Sequence, residues 1–351
     1  MTYQAKPTID FPGLTKNKLG LTLRDYEGVA STLCAGCGHD SITAAIVQAF
    51  WELDTRPEEV IKISGIGCSS KTPAYFLSGS HGFNSVHGRM PSIATGAMAA
   101  NRNFYCIGLS GDGDSLSIGM GQFAHVIRRN LNMLYIIENN GVYGLTKGQF
   151  SAAADPGSTN KKGDVNHLQA IDPVSTAITL GGSFAARSFS GDKEQLVPLI
   201  KAGLKHRGCA ILDVISPCVT FNNHIGSTKS YEHVREFYHP AIHTDFVPPS
   251  EEIRAAYADG EAMPIELHDG TTLVLKKTNE EYDPTSRQKV LHYLEKHRLK
   301  QQIVTGLLYV NEDLPTMHQA CDTVPEALVH QDYKDLNPGS EALMKLQEKM
   351  R

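Results

Sequence analysis

The sequence predicts an α/β fold: a doubly wound, mostly parallel sheet with a C-terminal extension. Three observations lead there. Apolar runs of strand length alternate with stretches whose apolar positions recur at helical spacing. Glycine-rich turns fall where those strands should end, as at Gly65-Ile66-Gly67 and Gly111-Asp112-Gly113. Of the 351 residues, 41% are hydrophobic, enough to fill the core of one large domain or two smaller ones.

In chain order, the spacing predicts a helix from Ile42 to Leu53 and a strand from Lys62 that ends in Gly65-Ile66-Gly67-Cys68. Pro91 can open a helix after His87-Gly88-Arg89. Asn103 to Ser110 reads as a buried strand, stopped by glycine. Ser117 to Asn130 carries Ile118, Met120, Phe123, Val126 and Ile127 near helical period, and Arg128 and Arg129 suit the negative end of the helix dipole. Asn132 to Ile137 is the next strand, so strand, helix and strand form one right-handed crossover. Phe184 to Arg187, Asp192 to His206 and Ile211 to Cys218 repeat the pattern. Beyond about residue 228 it loosens. Val247-Pro248-Pro249 interrupts it, a hairpin is expected around Asp269-Gly270, a helix over Thr285 to His297, and Pro338-Gly339-Ser340-Glu341 caps a short final helix. The expected division is an N-terminal extension over 1–29, an α/β domain over 30–227 and an extension over 228–351, for which subunit contacts are expected.

Composition removes several function classes. A net charge of −5, a pI near 6.3 and no basic run argue against nucleic acid. No apolar stretch approaches the roughly 20 residues that span a membrane, and the first residues lack a secretory core. Seven cysteines, an odd number with two of them three apart, fit metal or cluster binding in a reducing compartment better than a disulfide framework. The expected location is cytoplasmic.

Gly111-Asp112-Gly113 and Asn140, 28 residues after Asp112, carry the first chemical signal. The crossover brings both to the carboxyl ends of neighbouring strands, where open α/β sheets bind ligands. Glycine amides and a helix N-terminus suit a diphosphate, which Asp112 would repel without a cation between them. Mg²⁺ wants about six hard oxygens, and a carboxylate, an amide oxygen, a backbone carbonyl and phosphate oxygens supply them. Loop, spacing and flanks resemble the diphosphate-binding domain of thiamine-diphosphate enzymes. That resemblance implies Mg²⁺ held by Asp112, Asn140 and the carbonyl of Val142, and a cofactor contacted by Gly111, Gly113, Asp114, Tyr143, Gly144 and Leu145.

The cysteines carry the second signal. Cys34-Ala35-Gly36-Cys37-Gly38-His39 places two thiols on a glycine-rich turn, Cys68 ends one strand, and Cys218 ends another. Four thiolates on one rim suit an iron–sulfur cluster or zinc, and the pair alone also suits a redox dithiol. Cys209 opens its strand and so belongs to the opposite rim. Cys106, in an apolar strand, and Cys321 read as ordinary cysteines.

Together, Cys-Ala-Gly-Cys-Gly-His, Gly-Ile-Gly-Cys-Ser-Ser-Lys, His87-Gly88-Arg89, Gly-Asp-Gly-Asp, Asn-Asn-Gly-Val-Tyr-Gly-Leu-Thr-Lys-Gly-Gln and Ser-Pro-Cys-Val-Thr-Phe resemble the β subunit of 2-oxoacid:ferredoxin oxidoreductases, in unbroken order from about residue 30 to 225. The resemblance implies one 4Fe-4S cluster on Cys34, Cys37, Cys68 and Cys218, with Gly36, Gly38, His39 and His87 near the cofactor. It implies CoA-dependent oxidative decarboxylation of a 2-oxoacid with electrons passed to ferredoxin, or the reverse carboxylation. Lys71 and Lys147 leave the same loops, and two ammonium groups suit a dicarboxylate. Relatives specialised for 2-oxoglutarate carry lysines at these points, so 2-oxoglutarate is the expected substrate, ahead of pyruvate or a branched or aromatic 2-oxoacid. Ser151-Ala152-Ala153 departs from the Ser-Pro-Thr of many relatives. A thiamine enzyme also needs a glutamate from a pyrimidine-binding domain, for which the remaining sequence has no room, so an α subunit and an α2β2 assembly are expected. More remote readings are a zinc-binding thiamine decarboxylase subunit and a non-catalytic electron-transfer subunit.

Overall fold

Nine of the described strands form one sheet in the order β2-β1-β3-β4-β8-β7-β11-β10-β9. They are β1 (Val60–Ser64), β2 (His81–Asn84), β3 (Tyr105–Gly111), β4 (Met133–Asn139), β7 (Phe184–Phe189), β8 (Cys209–Ile215), β9 (Ala262–Glu266), β10 (Thr272–Lys277) and β11 (Gln302–Val310). Two further short strands, β5 (Val142–Tyr143) and β6 (Gln149–Phe150), make a separate antiparallel ribbon. This computed structural model describes residues 12–159, 163–219, 253–266 and 272–350. The Val247-Pro248-Pro249 interruption and the turn at Asp269-Gly270 lie outside them.

The six strands from β2 to β7 run parallel, which requires helices on both faces. In β4 the period of two is explicit. Leu134 and Ile136 face a core filled by α1 (Gly38–Glu52) and α5 (Lys193–Lys205), through Ile46, Phe50, Leu196 and Ile200. Met133, Tyr135 and Ile137 face the other core, with α2 (Met90–Ala100) and α3 (Met120–Arg129), through Met98, Phe123 and Ile127. Each such side chain contributes about 1.5–3 kcal/mol on burial. A one-residue register slip would exchange the two cores and is disfavoured by their sum.

The α3 region departs from the expected helix over 117–130. Gly113–Ile118 winds as a wider π-type turn and the regular helix begins only at Met120. Apolar spacing marks which side is buried but cannot register one extra residue in a turn, and such bulges occur at functional sites. α1 likewise starts at Gly38, four residues before the expected Ile42.

The later elements join the sheet. β11 pairs antiparallel with β7, β10 parallel with β11, and β9 antiparallel with β10, as a hairpin there requires. α6 (Arg287–Arg298) packs against β11 and α4 (Pro173–Thr179) through Val290 and Leu294. The final helix, α7 (Gly339–Lys349), leaves Leu343, Met344 and Leu346 exposed.

Candidate cofactor and cluster site

Strand order places β2 and β3 on opposite sides of β1, so the crevice between the carboxyl ends of β1 and β3 is the topological switch point. A cavity of about 360 Å³ opens there. The loops after β1, β3 and β4 line it, contributing Ile66 to Ser69, Gly111 to Asp114, and Asn140 with Val142 to Thr146; His39, His87, Ile118 and Gln149 complete the wall.

Asp112 is 1% exposed and sits where the π-type turn begins. Its Oδ1 accepts the backbone N–H of Asn140 at 3.2 Å, and its Oδ2 accepts the hydroxyl of Ser151. Burial pushes its carboxyl up to about 6, against those hydrogen bonds. Asn140 Oδ1 accepts the N–H of Val142 at 3.1 Å, a local turn that holds amide oxygen and Val142 backbone side by side. The Tyr143 hydroxyl donates to Gly113 O at 3.1 Å. A β-carbon on Gly113 would meet the Tyr143 ring at 2.5 Å, so only glycine lets the two loops close. Carboxylate, amide oxygen and backbone carbonyl beside glycine amides are the donors that a hard divalent cation and a diphosphate require.

Asp114 has a different task. Its Oδ1 accepts Gly88 N–H at 2.8 Å and its Oδ2 accepts the Ser110 hydroxyl at 2.6 Å, which ties the His87-Gly88-Arg89 loop to the end of β3. His87 is exposed on the cavity wall, and the exposed Arg89 side chain donates to Gly88 O at 3.4 Å. Lys71 is half-buried, Lys147 is exposed at φ +78°, and neither is among the residues lining the cavity.

The cysteine segments meet on the same rim. Cys37 N–H donates to Cys34 O at 3.0 Å through a turn at Gly36, and Gly38 N–H reaches Pro217 O at 3.3 Å. Gly38 has no room for a side chain, since a β-carbon would stand 2.7 Å from the hydroxyls of Ser190 and Ser216. Across the rim, a β-carbon on Gly144 would lie 3.3 Å from Cys68 Sγ and 3.9 Å from Cys218 Sγ. Burial holds the Cys37 thiol well above its ordinary range and raises that of Cys68, which nearby Lys71 lowers. Among the described residues, no three His, Cys, Asp or Glu side chains stand close enough to hold one metal ion. Cys106 and Cys209 are core thiols, both pushed up to about 12 by burial, and Cys321 is exposed.

The roles of Ser151 and Glu138 were not legible in the sequence. Ser151 stands out there only as the start of the departure from Ser-Pro-Thr, yet it touches Asp112. Glu138 lies inside an apolar strand and is fully buried, which pushes its carboxyl well above the usual range. A charged residue interrupting Tyr135-Ile136-Ile137 was the available signal.

Known proteins resemble this chain in sequence and fold. A family model described as thiamine pyrophosphate enzyme, C-terminal TPP binding domain, matches residues 65–214. These limits enclose the β1, β3 and β4 loops around the cavity, so the class is a thiamine-pyrophosphate enzyme domain. The "2-oxoacid:ferredoxin oxidoreductase 1, subunit beta" of Aeropyrum pernix is 44% identical over 196 residues, 56% of this chain and 61% of that relative's length. The "2-oxoglutarate synthase subunit KorB" of Methanocaldococcus jannaschii is 33% identical over 239 residues, 66% of this chain and 87% of the relative. A solved structure of 2-oxoglutarate:ferredoxin oxidoreductase from Magnetococcus marinus, with 2-oxoglutarate, coenzyme A and succinyl-CoA bound, matches with a TM-score of 0.69 and 27% identity, covering 92% of this chain and 96% of that one. The chain belongs to the 2-oxoacid:ferredoxin oxidoreductase β-subunit family.

Proposed function

We propose that this chain is the β subunit of a 2-oxoglutarate:ferredoxin oxidoreductase, converting 2-oxoglutarate and coenzyme A to succinyl-CoA and CO2 with electrons passed to ferredoxin, or running the reverse carboxylation. The observation that carries the reading is the contact between Asp112 and Asn140 on a cavity whose rim bears Cys68 and Cys218 around Gly144.

Thiamine diphosphate, when bound, supplies the electron sink for loss of CO2, and a 4Fe-4S cluster supplies the one-electron exit. The chain's own residues hold and orient. Asp112, Asn140 and the Val142 carbonyl hold Mg²⁺, and the Gly111 to Gly113 backbone takes the diphosphate. Cys34, Cys37, Cys68 and Cys218 would hold the cluster, two of them bracketing Gly144 on the cavity rim. His39, whose ring burial lowers to about 4, stays neutral at physiological pH and serves as a hydrogen-bonding wall. Lys71 and Lys147 receive the two carboxylates of the substrate once the loops are closed by a partner. That partner is an α subunit carrying the pyrimidine-binding domain, in an α2β2 assembly. A cytoplasmic location goes with this reading. Among the described residues no helix is long and apolar enough to cross a membrane.

A wider 2-oxoacid range is the second reading, favoured by the position of both lysines outside the cavity lining. Acyl-CoA formation by the αβ complex, with 2-oxoglutarate and pyruvate compared side by side, tests both. A kcat/KM for 2-oxoglutarate below that for pyruvate removes the first.

A further inference from the structure

Glu138 is the one acidic residue within β4 and is 0% exposed. Its Oε2 accepts the Thr72 hydroxyl at 3.0 Å and lies 3.6 Å from His39 Nδ1, while that same nitrogen pairs with Ser216 Oγ at 2.6 Å. Oε1 has no donor among the described residues. The partners have instructive positions. Thr72 lies in the 3₁₀ turn Ser69–Ala74 that Cys68 opens, and His39 follows Cys37 by two residues in α1. Ser216 precedes Cys218 by two, and Glu138 precedes Asn140 by two. One buried carboxyl therefore adjoins two cysteine-bearing segments directly and a third through the His39 ring, and its own strand carries the Asn140 loop. An apolar side chain would pack this position in a parallel sheet without any need for partners, so a glutamate here answers a requirement other than stability.

We propose that Glu138 is a positioning residue that sets the cysteine segments in register with the Asn140 loop, and so fixes the separation of the cluster from the thiamine ring. This rests on the oxidoreductase reading above. Thr72 and Glu138 hold the Cys68 segment to β4, and Ser216 holds the His39 ring of α1 to the segment after β8, with the Glu138 carboxyl packed 3.6 Å from that ring. Loosening this knot alters the cluster's surroundings and its distance from the cofactor while the Mg²⁺ loop keeps its own contacts.

The test uses the purified αβ complex, with E138A, E138Q and T72V in the β subunit. Its readouts are iron and sulfide content, the electron paramagnetic resonance spectrum of the reduced cluster, and cluster reduction in a single turnover with 2-oxoglutarate. E138A is expected to broaden or shift the resonance and to slow single-turnover reduction by about tenfold or more, as small misplacements of reacting groups do. E138Q, which keeps an acceptor for Thr72, is expected to restore both, and T72V to reproduce the E138A spectrum if E138A folds poorly. A wild-type spectrum and rate in both E138A and T72V overturn the proposal, and so does an E138Q complex as impaired as E138A. A wild-type complex without iron and sulfide removes the oxidoreductase reading itself, and this proposal with it.

Discussion

The backbone N–H of Asn140 donates to Asp112 Oδ1 at 3.2 Å, which joins the loop after β3 to the loop after β4 at the mouth of the cavity. Asp112 also accepts from Ser151, so three segments meet at one carboxylate. D112A is expected to weaken Mg²⁺-dependent binding of thiamine diphosphate by about 100-fold, and S151A by about 10-fold, the range found when ligands and their supporting partners are removed. Titration calorimetry on the αβ complex measures both, and an unchanged affinity in D112A removes Asp112 from the metal site.

The cysteines divide into two classes. Single alanine variants of Cys34, Cys37, Cys68 and Cys218 are expected to lose the visible charge-transfer absorbance and most of the iron, whereas C106A, C209A and C321A keep both. Cys106 and Cys209 lie in the core at 3% and 0% exposure, away from the rim. Iron retention in C218A together with its loss in C209A would reverse the assignment.

Arg187 is the centre of a buried ion network behind Asn140. Its Nε donates to Asp213 Oδ2 at 2.7 Å, a second guanidinium nitrogen reaches Asp172 at 2.5 Å, and Asp213 Oδ1 accepts Asn139 Nδ2 at 3.0 Å. Burial raises the Asp213 carboxyl, and Arg187 opposes that shift. R187M leaves Asp213 buried beside no cation and is expected to cost about 3–5 kcal/mol in denaturant unfolding. R187M combined with D213L should recover part of that loss. If the double variant is no more stable than R187M, the unpaired charge is not the cause.

Lys62 gives a dependence on pH that is independent of any cofactor. It is 8% exposed, donates to Phe76 O at 2.6 Å and Leu77 O at 2.9 Å, and burial lowers its ammonium to about 8. Between pH 8 and the unfolded value of 10.5 the unfolded chain binds the extra proton, so stability rises with pH across that window. Wild type is expected to gain up to about 3 kcal/mol relative to K62M between those limits. Equal slopes in the two proteins, followed by urea unfolding, would show that Lys62 does not titrate as its burial requires.

Most strands of the parallel core were legible as apolar runs of the right length, and the Gly111 to Gly113 loop as a glycine-rich strand end with Asn140 one crossover later. Both are local facts, set by backbone sterics and by the period of burial. The π-type turn over Gly113–Ile118 was not legible, because a single extra residue in a turn leaves the apolar stripe nearly unchanged. The strands beyond residue 253 were partly legible as extended segments, but nothing in them said that β11 would extend the sheet against β7.

The sequence by itself singled out the candidates for chemistry: the acidic loop, the spaced asparagine, and thiols placed at strand ends. Only the tertiary structure decided who meets whom. Ser151 reaches Asp112 from 39 residues away, His39 reaches Ser216 from 177, and Glu138 stands behind the cysteine segments. Spacing along a chain fixes reach within one element. Contacts between distant loops follow from sheet order and from how helices fill its two faces, and that is settled only when the whole core packs.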